Sequence, residues 1–556
     1  MRVGIISVYV DYHRRGRKNR LSIQPQAGAL IAGLLPPDID VEVINDAWRE
    51  PRWSRDYDLL LISCLHSDFD RARQISHYWR QRGAKTVIGG PLASRFPALC
   101  QPYFDAVTVG DAESTVPQII ADFKRQSLQP RYIAKSYDAR EIPVPRFDLS
   151  YRQQVVPISF EATRGCPFTC DFCSLTSLGT RFHSRPVASV VRDIREGQRQ
   201  LAGRLPRFLL NFVAFTDNNL GGHPGYLREL CAALKPLKIH WSASVTFNIA
   251  SNPELVRLMA HAGCYTLFVG LESFNPAALA DMCKPQNIVA KTRDMIRLCR
   301  RHGILVLAGL MLSPTADDSA YIDAIPSFLE SSELRVPAFV SLETPFPGTP
   351  YFERLARQSN ALLPNALLRD FSGYTLVVKP QKLSAGALIE RYLELIERTY
   401  TLPARLKKIA AEAPRLLTHG HWDAALLGAI DTLNNNYRAD RARTYLAGSD
   451  RPPPDSVPLD DADFHSSAAR AAILDPWKVT DDSGAILPQW MSGERVYGKR
   501  GAVLTRVAPL PTQIRAITVP IKARPPQDNS VTLPADRPGR VTKIGVVATQ
   551  PEKIAV

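Results

Sequence analysis

The stretch Arg164-Gly165-Cys166-Pro167-Phe168-Thr169-Cys170-Asp171-Phe172-Cys173 sets three cysteines at CxxxCxxC spacing, just after an apolar segment. Thiolates that close can all reach one small inorganic cluster, and iron–sulfur clusters are held by such local cysteine runs. Three thiolates on a four-iron cubane leave one iron without a protein ligand. An open coordination position is where a substrate or cofactor binds a metal. The same cysteines with His183 also make a Cys3His zinc set, so the spacing alone leaves both metals open. A disulfide or reactive-thiol reading suits a cluster of three less well.

The rest of the chain bounds what surrounds this run. Its 556 residues are enough for several domains, and a hydrophobic content of 45% supports packed cores. No apolar run approaches the roughly 18 residues of a membrane span. The opening Met1-Arg2-Val3-Gly4-Ile5-Ile6-Ser7 reads as a strand and is followed by basic residues, without the small-residue cleavage site of a secretory signal. Nine cysteines without regular pairing fit a reducing cytoplasm. A net charge of +15 leaves nucleic acid, anionic lipid and acidic small molecules as partner classes. The absence of a stacking-rich RNA module argues against nucleic acid. The one dense basic run, His13-Arg14-Arg15-Gly16-Arg17-Lys18-Asn19-Arg20, is either a solvated loop or a loop beside cofactor or substrate phosphates.

Upstream of the cysteines, short apolar strands alternate with amphipathic stretches. Strands are expected at Val3–Val10, Val41–Ile44, Leu59–Ser63, Thr86–Ile88 and Ala106–Val109, with helices at Ala27–Leu35 and Arg71–Gln81. That alternation predicts a doubly wound, Rossmann-like parallel sheet over residues 1–147, whose ligands sit at the carboxyl ends of the strands. Ile142-Pro143-Val144-Pro145 reads as an extended linker. A second alternation occupies residues 155–368. Its six strands are expected at Pro157–Glu161, Phe208–Phe215, Ile239–Val245, Thr266–Leu271, Ile304–Met311 and Ala338–Leu342. Helices start at Ser251-Asn252-Pro253-Glu254, where a cap precedes proline, and cover Val289–Arg301. Six βα units suggest an incomplete (β/α)6 barrel, with chemistry on the loops after the strands; the cysteine run follows the first strand. Residues 369–447 read as a helical C-terminal domain, with helices at Ala385–Thr399, Pro403–Ala411 and His421–Leu433. Residues 448–556 form a proline-rich extension, expected to be partly disordered.

From Met1 to about Tyr374 the chain resembles radical S-adenosylmethionine (SAM) enzymes that carry an N-terminal cobalamin-binding domain. The resemblance rests on several passages besides the cysteines and the aromatic Phe172. Val87-Ile88-Gly89-Gly90-Pro91 and Val109-Gly110-Asp111-Ala112-Glu113 resemble the glycine turns of that domain. Phe215-Thr216-Asp217-Asn218-Asn219, Val269-Gly270-Leu271-Glu272-Ser273 and Thr344-Pro345-Phe346-Pro347-Gly348-Thr349-Pro350 resemble successive strand-end motifs of the barrel. The resemblance implies a 4Fe-4S cluster on Cys166, Cys170 and Cys173, with SAM chelating the fourth iron.

It implies further roles, each with a structural alternative. Asp217 and Glu272 would bind SAM's ribose or amino group, or else cap a helix and form a salt bridge. Phe172 would contact the adenine, or pack in a core. Gly89, Gly90 and Gly110 would let backbone approach the corrin. Asp11-Tyr12-His13-Arg14-Arg15-Gly16 matches the DxHxxG motif in which histidine ligates cobalt and aspartate holds its other nitrogen; the alternative is a solvated loop histidine. Gly309-Leu310-Met311-Leu312-Ser313-Pro314 lacks the family's second glycine, and Ser242-Ala243-Ser244 lacks an arginine that some relatives use.

The function expected from the resemblance is cobalamin-dependent radical C-methylation of an unactivated carbon, through a 5′-deoxyadenosyl radical and methylcobalamin. The alternatives are an oxidoreductase, cyclase or rearrangement enzyme with the same cofactors, an enzyme whose first domain is degenerate, and a non-catalytic metal-binding scaffold. The implied partners are a small-molecule or peptide substrate and a reductant such as flavodoxin or ferredoxin. No hydrolytic triad or paired-carboxylate motif competes with this reading.

Overall fold

A computed structural model describes residues 1–8, 27–46, 48–49, 51–52, 54–154, 156–178, 182–358, 361–363 and 371–422, with helical positions 425, 426, 428, 429 and 432. The first sheet comprises β1 (Arg2–Ser7), β2 (Asp40–Asn45), β3 (Leu59–Ser63), β4 (Lys85–Gly89), β5 (Ala106–Val109) and β6 (Arg131–Ile133). All five pairings are parallel, in the order β2-β1-β3-β4-β5-β6. Runs such as Leu59-Leu60-Leu61-Ile62 are apolar at every position because helices cover both faces of a parallel sheet. The order reverses between β1 and β3, which opens a crevice at the carboxyl edge there. The Tyr9-Val10 end of the first expected strand lies outside the described residues.

The second sheet comprises β7 (Ile158–Phe160), β10 (Phe212–Phe215), β11 (His240–Val245), β12 (Cys264–Glu272), β13 (Leu305–Leu312) and β14 (Phe339–Leu342). The strands run parallel and neighbour one another in chain order, so the sheet is an open six-stranded barrel with β7 and β14 as its terminal strands. A small antiparallel hairpin, β8 (Thr163–Arg164) with β9 (His183–Ser184), brackets the cysteine run. Helices start on side-chain caps that satisfy orphan N–H groups: Asn252 accepts from Leu255 N–H, Asp318 from Tyr321 N–H and Thr349 from Phe352 N–H. Among the described residues no helix is long and apolar enough to cross a membrane.

Three expected elements differ. The strand expected at Phe208–Phe215 shrinks to Phe212–Phe215, because Pro206 opens a 3-10 turn over Arg207–Asn211. The expected helix Val289–Arg301 starts as a 3-10 turn and becomes α-helical at Thr292. The expected Pro403–Ala411 helix runs from Leu402 to Thr418, through Pro414. Leu416 buries against Leu305 and Ala425, and that packing holds the last turns despite the N–H that proline lacks.

The helix Ala385–Thr399 buries Leu388, Tyr392, Leu395 and Ile396 in the same apolar core as the barrel strands, and the Tyr392 hydroxyl donates to the Val340 carbonyl at 2.7 Å. Tyr351, Phe352, Phe371, Val377 and Val378 enter the core of the first sheet. The chain therefore returns from the barrel to close the N-terminal sheet. The Ile142–Pro145 segment is extended but anchored: Arg192 donates to the Ile142 carbonyl at 2.8 Å.

Candidate functional site

The cysteine run hangs from the carboxyl end of β7. Two constraints shape its entrance. The hairpin β8–β9 holds Thr163 and Arg164, and Gly165 then turns with φ of +81°, a left-handed conformation that suits glycine. Below the hairpin, Asp217, which follows β10, is almost fully buried. It accepts from Ala162 N–H at 3.1 Å and from both Thr163 N–H and Thr163 Oγ1–H at 2.5 Å. Burial pushes its carboxyl up to about 7 against the pull of these donors. Asp217 thus fastens the chain immediately before the cysteines.

The three thiols lie near enough to influence one another's ionisation. Burial pushes Cys170 and Cys173 up; Cys166 raises both further, and Lys284 pulls both down. Each thiol also has an N–H donor. Asn219 Nδ2 donates to Cys166 Sγ at 3.6 Å, Gln286 Nε2 donates to Cys170 Sγ at 3.8 Å, and Cys173 takes the backbone N–H of Leu175. The amide oxygens Asn219 Oδ1, Gln286 Oε1 and Asn287 Oδ1 are buried without a partner. Buried acceptors of that kind are rare unless a ligand or water completes them. Among the described residues, no three His, Cys, Asp or Glu side chains are gathered tightly enough to hold a single ion. The donor set fits an iron–sulfur cluster.

The other barrel-rim residues take unequal roles. Glu272 ends β12 at a bulge with φ of +62°, a strained conformation for a side-chain-bearing residue, and is ion-paired to Lys284. Lys284 Nζ also lies 5.9 Å from the centre of the Phe172 ring. That ring packs against the apolar core of the first sheet. Asn287 Nδ2 ties the same loop to the strand, donating to the carbonyls of Gly270 and Leu271 at 2.9 and 2.8 Å. On the far side, Arg354 pairs with Asp171 at 2.6 Å, and Tyr351 N–H donates to the Asp171 carbonyl. Glu343, just past β14, accepts from Ser313 Oγ at 2.6 Å, and burial pushes its carboxyl up to about 8.

The carboxyl edge of the first sheet meets this rim. Arg164 donates to Glu113 through Nη2 at 2.9 Å and to Tyr137 at 3.1 Å, and it pairs with Asp111 at 3.2 Å and Glu161 at 3.0 Å. The Gly110-Asp111 turn is therefore wired to the residue that precedes Gly165. The glycines themselves serve close packing of protein on protein. A Cβ on Gly89 would meet Thr108 Oγ1 at 2.5 Å, on Gly90 Ser63 Oγ at 2.7 Å, and on Gly110 Ala134 Cβ at 2.7 Å. Gly90 and Gly110 also have φ near +90°. Asp11 and His13 lie outside the described residues.

Residues 160–325 match the model of the Radical SAM superfamily. This stretch is therefore similar to radical SAM domains. Over 424 residues it is 25% identical to the bacteriochlorophyllide d C-12(1)-methyltransferase of Chlorobaculum tepidum, covering 71% of this chain and 90% of that one. It is 25% identical over 354 residues to the hopanoid C-2 methylase of Rhodopseudomonas palustris, covering 60% and 64%. Its fold is similar to that of the radical SAM methyltransferase TsrM from Kitasatospora setae, with a TM-score of 0.51, 18% identity, and 66% and 76% of the two chains covered.

Reading motifs along residues 160–325 misses several residues that the fold assembles. Asn219 sits inside a quoted motif, two residues past Asp217, and a search for amide donors to sulfur would have singled it out. Lys284, Gln286 and Asn287 carry no local signal, and only the return of their loop brings them to the cysteines.

Proposed function

We propose that the chain is a cobalamin-dependent radical SAM enzyme, a C-methyltransferase acting on an unactivated carbon of a small-molecule or peptide substrate. The observation that carries this reading is the three-thiol run at the carboxyl end of an open barrel, beside buried amide oxygens that lack a partner. The two relatives named above are methylases of unlike molecules, which supports methyl transfer as the shared outcome and leaves the substrate to the pocket.

When bound, the cluster, SAM and a corrin supply an electron, a hydrogen-abstracting radical and a methyl group. The chain's own residues hold and orient. Cys166, Cys170 and Cys173 ligate three irons. The oxygens of Asn219, Gln286 and Asn287 would be free to accept from polar groups of SAM, and Glu272, held by Lys284, would add a carboxylate to that shell. Phe172 stands between the cysteines and the first sheet, where it can border the adenine. The apolar strands behind them exclude water from the reacting centre.

A corrin would be held at the carboxyl edge of the first sheet. There the side chain of Leu65 is about half exposed, and His66 Nε2 and Arg95 Nε are buried without partners. Burial pushes His66 down to about 4, so it offers a neutral imidazole. His13 is the proposed cobalt ligand, with Asp11 holding its other ring nitrogen. All nine cysteines are free, which supports a cytoplasmic setting with a flavodoxin or ferredoxin as reductant.

Anaerobic reconstitution with iron, sulfide and hydroxocobalamin, followed by reaction with methyl-deuterated SAM and a chemical reductant such as dithionite, tests the reading. The expected result is corrin absorbance that co-purifies with the protein, together with 5′-deoxyadenosine and S-adenosylhomocysteine. SAM cleavage without retained corrin would remove methyl transfer from the proposal.

A further inference from the structure

Each cysteine of the run has one N–H aimed at its sulfur, and two of those donors belong to side chains from distant loops. Asn219 follows β10 and is fully buried; Gln286 follows the helix Pro276–Asp281 beyond β12. Their Nδ2 and Nε2 atoms lie 3.6 and 3.8 Å from Cys166 and Cys170 Sγ, within hydrogen-bond range for sulfur. Neither amide is held there by a bond to its own oxygen, since both oxygens are buried without a partner. An amide that leaves its oxygen unsatisfied while donating to sulfur is oriented by the pocket around it, so the donor geometry is built in.

We infer that Asn219 and Gln286 set the reduction potential of the cluster by donating to two of its thiolates. The inference rests on the cluster reading above. One-electron reduction adds negative charge to the iron–sulfur core, and much of that charge is shared by the thiolate sulfurs. A donor N–H stabilises the more negative state more than the less negative one, so each such bond raises the potential. Lys284, paired with Glu272, also acts on Cys170 and Cys173, so the amides add to a charge effect that stays the same when only Asn219 or Gln286 is replaced. The two donors come from separate elements and touch different cysteines, so their effects add.

The test uses the full-length protein, reconstituted anaerobically, with the cluster potential read by redox titration followed by electron paramagnetic resonance. Gln286→Met and Asn219→Leu keep side-chain volume and remove the N–H without adding charge. Expected are four irons per chain in every variant, a potential more negative than wild type in each single variant, and additive shifts in the Asn219→Leu/Gln286→Met double variant. A normally loaded variant with an unmoved potential would overturn the inference. So would a Gln286 variant that folds and fails to load iron, because the amide would then be needed for assembly rather than tuning. If Asn219→Leu fails to fold, the half-exposed Gln286 loop still decides the matter. A wild-type chain that assembles no 4Fe-4S cluster would instead defeat the cluster reading itself, an outcome separable by iron and sulfide analysis.

Discussion

Replacing Asp217 distinguishes a residue that fastens the cysteine loop from one that binds SAM. In the structure the carboxylate satisfies the N–H groups of Ala162 and Thr163 and the Thr163 hydroxyl, at 3.1, 2.5 and 2.5 Å, in a site closed to water. Asp217→Ala leaves two backbone donors buried and unpaired, since the hydroxyl can rotate elsewhere. At about 1–3 kcal/mol per orphaned donor, the loss is about 2–6 kcal/mol. Asp217→Asn keeps Oδ1 as acceptor but puts an NH2 group opposite Ala162 N–H. It loses one bond, about 1–3 kcal/mol. Melting of the apo protein should therefore be lower for Asp217→Ala than for Asp217→Asn, a comparison of two neutral side chains that the raised carboxyl of the wild type does not enter. The expected shift is about 2–4 °C per kcal/mol for a unit the size of the barrel. Hydrogen–deuterium exchange should rise at Ala162 and Thr163 in the same order. Equal melting and exchange in the two variants, accompanied by lost SAM binding, would refute the fastening role and return Asp217 to the ligand shell.

Other outcomes follow from the same geometry. Arg164→Lys cannot reproduce the bidentate pairing with Glu113 while reaching Asp111 and Glu161, and should cost about 2–4 kcal/mol by denaturant unfolding; in a double variant with Glu113→Gln the losses should be less than additive. Glu343 has its folded carboxyl raised to about 8, so it contributes stability that is complete below the ordinary carboxyl range and is lost as pH rises through 8. Melting profiles of the wild type should therefore decline between roughly pH 5 and 8, and Glu343→Gln should flatten that decline. Cys170→Ala should abolish iron loading and SAM cleavage while leaving the apo melting temperature nearly unchanged, and retained cleavage would refute the cluster assignment. Gly263→Ala combines φ of +91° with a Cβ only 1.9 Å from the Ile239 carbonyl oxygen, and should reduce stability by more than about 3 kcal/mol, read as lost soluble yield.

Two kinds of information met in this chain. Strand positions, the helix stops at Gly263 and Gly303, and the cysteine spacing are local properties, encoded by residue period, turn residues and a few covalent steps. They were legible by reading along the chain, and where they misled, as at Phe208–Asn211, a proline-led turn had overridden an apolar run. What surrounds the cysteines is not local. Gln286 meets Cys170 across 116 positions, Arg354 meets Asp171 across 183, and Arg164 meets Glu113 across 51. No periodicity records such pairs, because they depend on how strand-end loops converge once the barrel closes against the first sheet.

The sequence alone determined that three thiols would gather after the first strand of a βα series, since eight consecutive residues hold all three within reach of one cluster. Only the tertiary structure decided which neutral amides face those sulfurs, and that Asp217 turns inward to backbone N–H groups. Burial makes an unpaired donor costly, so the folded surroundings, and not the motif, choose each polar group's partner.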